Sequence, residues 1–222
     1  MIKWEALFNL ELAIYAIPRI LQGLPYTLGL SLIGFILGTF FGFFIALMRQ
    51  SRLRVLRYIA VTHISLMRGV PLMVLLFFIY FGLPFMGIQL DAISASIIAF
   101  TSMSSAYISE IIRSGLQAID KGQWDAAYAL GLSKTQTFKY IIIPQATRIC
   151  VPPMTNVLLD IVKSTSLTAA ITVPEILNQA KSIGGAKSDY MTVYFCVALI
   201  YWIICTTYAL GQAKLEKKLA IY

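Results

Sequence analysis

Asp160 and Lys163 stand in an otherwise apolar stretch, after the pair Pro152-Pro153 and at the start of the polar run Lys163-Ser164-Thr165-Ser166. A charged side chain at membrane depth is costly, and it faces a polar cavity or a partner. Prolines break a spanning helix and free backbone carbonyls and amides that can hold a zwitterion. Asp160 is thus a candidate for binding an ammonium group, with Asn156, Ser164 and Thr165 beside it. The alternative is an internal pair with Lys163, three residues on and on the same helix face. Arg68, at the break Gly69-Val70-Pro71, is placed either to meet a carboxylate bidentately or to anchor the cytoplasmic end of a span. Glu110 and Arg113 read as a structural ionic network.

None of this is covalent chemistry. His63 has no acid or nucleophile at a useful spacing, and it reads as structural. Cys150, Cys196 and Cys205 all lie in apolar stretches without ligand-like spacing, so neither a disulfide framework nor a metal site is expected. A phosphate loop needs G-x-x-x-x-G-K-[ST]. The nearest fragment, ending Ser133-Lys134-Thr135, has Tyr128 and Ser133 where the glycines belong. The chain is therefore not expected to be an enzyme or to hydrolyse ATP.

The elements that must position these residues are membrane helices. Of the 222 residues 59% are hydrophobic and 13% charged, and mean hydropathy is +0.78. Soluble domains are about 45–50% apolar. The net charge of +8 sits beside apolar spans, so it reads as membrane orientation and not as a nucleic-acid footprint. A helix needs about 20 apolar residues to cross the hydrocarbon. This predicts an all-α membrane protein, one domain over residues 1–222, with five spans near 26–48, 55–85, 92–112, 140–162 and 191–210. Met1–Glu11 is amphipathic and carries acids, so no cleavable signal is expected. The arginine-rich loop 49–57, the loop 113–139 and the tail with Lys214, Lys217 and Lys218 are expected in the cytoplasm, with the N-terminus outside. Gly34, Gly38, Gly42 and Ala46, each four apart, predict a close helix–helix contact. Trp4, Trp202 and the terminal tyrosines suit the membrane interface.

Between the third and fourth spans lies a polar, helix-prone island at about 120–131. Asp120 and Gln123 have capping-box spacing, and Ser133 to Gln136 repeats it. Gly131 can end the first helix in a left-handed conformation. Trp124, Ala127, Tyr128 and Gly131 share one face, and small Ala126 and Ala127 suit insertion into a partner's groove.

The stretch Asp125-Ala126-Ala127, then Gly131, then Ile141-Ile142-Ile143-Pro144, resembles the EAA loop of ABC-importer permeases. Asp125 replaces the usual Glu, and Ile143 the usual Leu. Gly23, Thr27, Leu28 and Ser31 resemble the opening motif of the polar amino acid subfamily. So do Arg68-Gly69-Val70-Pro71-Leu72 with Phe77 to Pro84, Ala106-Tyr107 with Glu110 and Arg113, Pro144-Gln145-Ala146 with Arg148, and Pro152-Pro153 with Asn156 and Lys163 to Leu167. Val70 departs from Thr, Ser164 from a frequent Asp, and Asp160 from a frequent Ser.

The resemblance covers about residues 20–210. It implies a type I ABC importer permease fold with a cytoplasmic coupling helix at Trp124, Asp125, Ala126, Ala127, Tyr128 and Gly131. It implies an importer of amino acids of the histidine, glutamine, arginine and cystine group, in a bacterial cell membrane. The implied partners are a cytoplasmic ABC ATPase dimer, a second permease copy or paralogue, and an extracytoplasmic amino-acid-binding protein. No cofactor is expected in this chain, with ATP and Mg²⁺ on the partner ATPase. The rival reading is an ion-gradient-driven secondary transporter or channel for small polar solutes, which would need no docking helix and would more often carry inverted repeats. A membrane scaffold is a third option, and it leaves the polar break near Asp160 unexplained.

Overall fold

The computed structural model describes residues 8–219, which form helices and no strand. Trp4 and Tyr222 lie outside the described residues. Helix α1 (Leu10–Ile20) starts at Asn9, whose side chain accepts a hydrogen bond from the Leu12 N–H at 3.0 Å. One tight turn, Leu21–Gly23, leads into α2 (Leu24–Arg49), with Pro25 in its first turn, where a missing N–H is harmless. Together they form a 40-residue helix from Leu10 to Arg49. At about 1.5 Å per residue it is about 60 Å long, twice the hydrocarbon thickness of about 30 Å. The expected span 26–48 is its second part only.

Helix α3 (Arg54–Gly69) is followed by α4 (Leu72–Phe77), which continues as a wide turn to Gly82 and a tight one to Met86. The two parts meet at 108°. Val70 is extended, as a residue preceding proline must be, so the helix cannot run on. The stretch 55–85 is accordingly not one straight span. Helix α5 (Ala92–Gln117) is capped by Asp91, which accepts from the Ser94 N–H and Oγ, both at 2.8 Å. These hydrogen bonds hold the Asp91 carboxyl below the usual carboxylate range.

After α6 (Lys121–Ala129) and α7 (Lys134–Thr137), a wide turn at Phe138–Ile142 opens α8 (Ile143–Ser164). A tight segment, Thr165–Ile171, leads to α9 (Ile176–Lys187), at 46° to what precedes it. Helix α10 (Tyr190–Leu219) closes the described chain. By length and composition three helices can cross a membrane, and five do if each bent pair counts as one span.

The centre of the fold is the α2–α5 contact. Gly34, Gly38, Gly42 and Ala46 are all buried against α5. A Cβ at Gly34 would lie 2.7 Å from Phe100 Cβ, and one at Gly42 2.9 Å from the Ser105 carbonyl. At Gly38 it would collide with the Ser104 side chain. Ser104 uses this closeness, donating to the Phe100 carbonyl at 2.6 Å and reaching the Gly34 carbonyl at 3.0 Å. The four-residue spacing of small side chains thus sets the distance between the two backbones.

Two apolar clusters flank that contact. Leu30, Leu76, Phe100, Ile161 and Val173 join α2, α4, α5 and the end of α8. Leu12, Ala16, Ile20, Ile176, Val193 and Ile200 join α1, α9 and α10.

Gly38→Val overpacks the α2–α5 seam, which costs about 1–3 kcal/mol. The purified variant should unfold at a lower temperature than wild type in detergent. An unchanged midpoint contradicts the close-packing role.

Candidate functional site

The island between α5 and α8 folds as a helix, a turn and a helix. Asp120 Oδ1 accepts from the Gly122 N–H at 2.7 Å and starts α6. Gln123 does not complete a box with Asp120. Its Oε1 instead accepts from Gln145 Nε2 of α8 at 2.9 Å. Helix α6 ends at Gly131, whose φ of 77° only glycine adopts without strain. The Gly131 N–H donates to the Tyr128 carbonyl at 2.9 Å and the Leu132 N–H to the Ala127 carbonyl at 3.1 Å, a Schellman closure. Two residues later Ser133 and Gln136 cap each other reciprocally and open α7.

The faces of α6 divide differently from the sequence pattern. Trp124 is half-buried, packs on the cluster of Ile119, Ile142 and Ala146, and sits 6.4 Å from the Phe138 ring. Ala127 is buried. Trp124 holds α6 to the turn 138–142 and the start of α8, and neither residue faces outward. The outward face is Asp125, Ala126, Tyr128 and Leu130, with Leu130 82% exposed. Leu130 stands at the tip of the closed turn, with Tyr128 45% exposed on the same helix.

Close by, three helices meet at one carboxylate. Glu110, 16% exposed, pairs with Arg49 at the end of α2, with Arg68 at the end of α3 at 3.8 Å, and with Arg113 of its own helix at 3.0 Å. Arg68 also lies over the Tyr107 ring at 5.6 Å. Arg68 is thus engaged in the ionic hub that the sequence assigns to Glu110 and Arg113. His63 joins α3 to α5 through Ser105 Oγ at 2.9 Å.

The substrate candidates on α8 separate into three environments. Asp160 and Lys163 pair at 2.8 Å, with side chains 67% and 53% exposed respectively. Asn156 Oδ1 accepts from Gln212 of α10 at 2.8 Å, one turn from the hydrogen bond between Tyr208 and the Thr155 carbonyl. Thr165 is buried, donates to the Val162 carbonyl at 2.7 Å and lies 3.3 Å from Tyr201 Oη. Ser164 ends α8, partly exposed. The structure does not gather Asp160, Arg68, Asn156, Ser164 and Thr165 into one pocket.

Glu175, absent from the sequence candidates, is the fully buried carboxylate of the α8–α9 break. Its oxygens accept from the Leu177 N–H at 2.8 Å, the Asn178 N–H at 2.7 Å and Tyr201 Oη at 3.2 Å. Gly23 packs against the Glu175 backbone, where a Cβ would collide. The readable signal was its place directly before an apolar helix start, the position of an N-cap.

Residues 38–221 match the family described as the inner membrane component of binding-protein-dependent transport systems. The chain belongs to this family. It is a multi-pass inner-membrane component of such a system. The chain is 52% identical over 221 residues to the probable amino-acid ABC transporter permease protein YckA of Bacillus subtilis (strain 168), covering all of this chain and 98% of the relative. It is 37% identical to the L-cystine transport system permease protein TcyB of the same organism, over 92% and 88% of the two chains. Its structure is similar to a crystal structure of an amino acid ABC transporter with histidines, with a TM-score of 0.89, 33% identity and coverage of 92% and 96%. The MetNI methionine ABC transporter in an inward-facing form has the same fold at 19% identity and a TM-score of 0.68.

Removing the acid from the hub leaves three guanidinium groups crowded together. Glu110→Gln is expected to cost about 3 kcal/mol, read as a lower unfolding temperature of the purified component. An equal or higher midpoint contradicts the structural role of the hub.

Proposed function

We propose that this chain is the translocating subunit of an ATP-driven amino acid importer. The observation that carries the reading is α6. Its inner face is fixed by Trp124 and Ala127, and its outer face offers Asp125, Ala126, Tyr128 and Leu130 beyond the helix bundle. A secondary transporter has no use for such a knob. Docking on a separate ATPase, which binds ATP and Mg²⁺, gives it one. The names of the relatives support the substrate class and the ABC setting.

In this reading the loop 49–57, α6 and the lysine-rich end of α10 face the cytoplasm. The chain pairs with a second copy or a paralogue, and an extracytoplasmic binding protein delivers the amino acid. Nucleotide binding shifts the population between two arrangements of the bundle through α6. Gln123–Gln145 and Trp124–Phe138 tie α6 to the start of α8, so displacement of α6 reaches Asp160 through one continuous helix.

Asp160, with Ser164 a turn away, faces the pathway and meets the substrate's ammonium group. An ion pair with both partners more than half exposed is stable in a span only against water or a partner. Arg68, Asn156 and Thr165 are held by Glu110, Gln212 and Tyr201, and they shape the pathway from behind.

The test is ATP-dependent uptake of labelled amino acids by the complex reconstituted with its ATPase and binding protein, for wild type and Asp160→Asn. The wild type should take up one class of amino acid. The variant should raise the half-saturating substrate concentration about tenfold, the loss of one charge-assisted hydrogen bond, and keep its ATPase bound. Lower stability with unchanged preference would leave Asp160 only its pair with Lys163. No amino acid uptake with an active ATPase bound would overturn the substrate class.

A further inference from the structure

Helix α1 has three faces. Leu12, Ala13, Ala16 and Ile20 are buried against α9 and α10. Leu10, Ile14, Ile17 and Leu21 form an exposed apolar stripe. Tyr15, Arg19 and Gln22, spaced four and three apart, form a polar stripe. That polar stripe and α9 enclose a groove of about 270 Å³, lined by Tyr15, Arg19, Gln22, Gln179, Ser182 and Lys187.

The groove is built around a tyrosine between two cations. The Arg19 guanidinium lies 3.6 Å from the Tyr15 ring centroid, and the Lys187 ammonium 5.4 Å from it. Arg19 also donates to the Tyr15 carbonyl at 2.9 Å. Stacking on the ring and the backbone bond hold the planar guanidinium in place. Among the described residues neither Arg19 nor Lys187 has a carboxylate partner. Glu11 and Asp189 line an adjoining recess that shares Tyr15 and Lys187 with the groove, and neither forms an ion pair with Lys187. Asp189 is engaged there, accepting from the Thr192 N–H at 2.9 Å and its Oγ at 2.7 Å.

The position of this groove is unusual. The 40-residue helix Leu10–Arg49 is anchored at its far end by Arg49 on Glu110. Its length of about 60 Å, about twice the hydrocarbon thickness, brings α1 to the opposite membrane interface, where its apolar stripe faces lipid. Positive charge there runs against the cytoplasmic bias of Lys and Arg, so it requires a partner. The lipid-facing stripe of α1 is a different face, which leaves the polar groove open to water.

We propose that the α1–α9 groove is the docking site for an acidic surface of the extracytoplasmic solute-binding protein. This rests on the importer reading and deepens it. Carboxylates of the incoming protein meet Arg19 bidentately and Lys187 as a point charge. Gln22, Gln179 and Ser182 supply the polar rim. Complementary charge steers the encounter and fixes orientation. It is felt in the half-saturating concentration of the binding protein and not in the turnover of the docked complex.

The test uses the complex with its ATPase in phosphatidylcholine nanodiscs, titrated with ligand-loaded amino-acid-binding proteins of the same cell. ATP hydrolysis is the readout. For the binding protein that stimulates wild type, Arg19→Glu with Lys187→Glu should raise the half-saturating concentration by about tenfold or more. Basal and maximal rates should stay unchanged, and the salt dependence should flatten. Arg19→Lys with Lys187→Arg keeps both charges, and it should stay within a few-fold of wild type. An unchanged half-saturating concentration in the charge-reversed variant, with stimulation intact, overturns the groove assignment and leaves the importer reading standing. A wild-type basal rate that responds to added phosphatidylglycerol, together with a charge-reversed variant that does not respond, points to a lipid headgroup, which also overturns it. If no binding protein stimulates the wild type, the importer reading fails, and the docking site falls with it.

Discussion

The approach of α2 to α5 is the constraint on which the rest of this chain depends. Gly34, Gly38 and Gly42 leave no room for a Cβ, and a hydroxyl from Ser104 bridges the seam. Within a bilayer there is no hydrophobic gain from pressing helix on helix, so close backbone contact and interhelical hydrogen bonds supply the attraction. This seam also places Arg49, at the foot of α2, against Glu110 of α5. Once that pair is formed, Arg68 at the sharp break after α3 joins the same carboxylate. One stripe of small residues thereby locates the ends of α2 and α3 on α5.

The α6–α7 element is built for rigidity. Its start is capped by Asp120, its end is closed by a Schellman motif, and the next helix opens two residues later under a reciprocal cap. Each cap is worth about 1 kcal/mol, and together they leave α6 little freedom of its own. The wide turn at Phe138–Ile142 then passes into α8 just before Pro144. A push on Leu130 and Tyr128 therefore moves α6 as a body and bears on α8. That helix carries Asp160 at one end of the same rod that holds Gln145 at the other.

Much of this was legible in the residues. The four-residue spacing of glycines marks a close helix–helix contact on α2 without naming α5 as its partner, Gly131 the left-handed turn, and Ser133 with Gln136 the capping box, because each is a local rule. Helix faces were less legible. Trp124 and Ala127 share a face in the sequence, but which face turns inward depends on Ile142 and Ala146, which lie beyond α7 in the chain. Non-local partners were not legible at all. Gln212 takes Asn156, Tyr201 joins Thr165 to Glu175, and Gln145 takes Gln123 away from Asp120. The 108° bend was foreshadowed by Gly69 and Pro71 as an interruption, but proline marks a break and not its angle. Glu175 stands between Val173-Pro174 and Ile176-Leu177, and a single acid before a helix start reads as an ordinary cap until its burial is known.

The central claim is that the outer face of α6 is where a partner ATPase docks. Leu130→Cys, made together with Cys205→Ser because Cys205 is partly exposed, places a reactive thiol on that face, whereas Cys150 and Cys196 are buried. The most direct measurement is the rate at which a membrane-impermeant maleimide labels Leu130→Cys, with the chain alone and in complex with its ATPase. The predicted result is rapid labelling of the free chain and at least tenfold protection in the complex, about 1.4 kcal/mol of preferential occlusion. Equal labelling rates in both states, with the ATPase demonstrably bound, would contradict a docking role for α6.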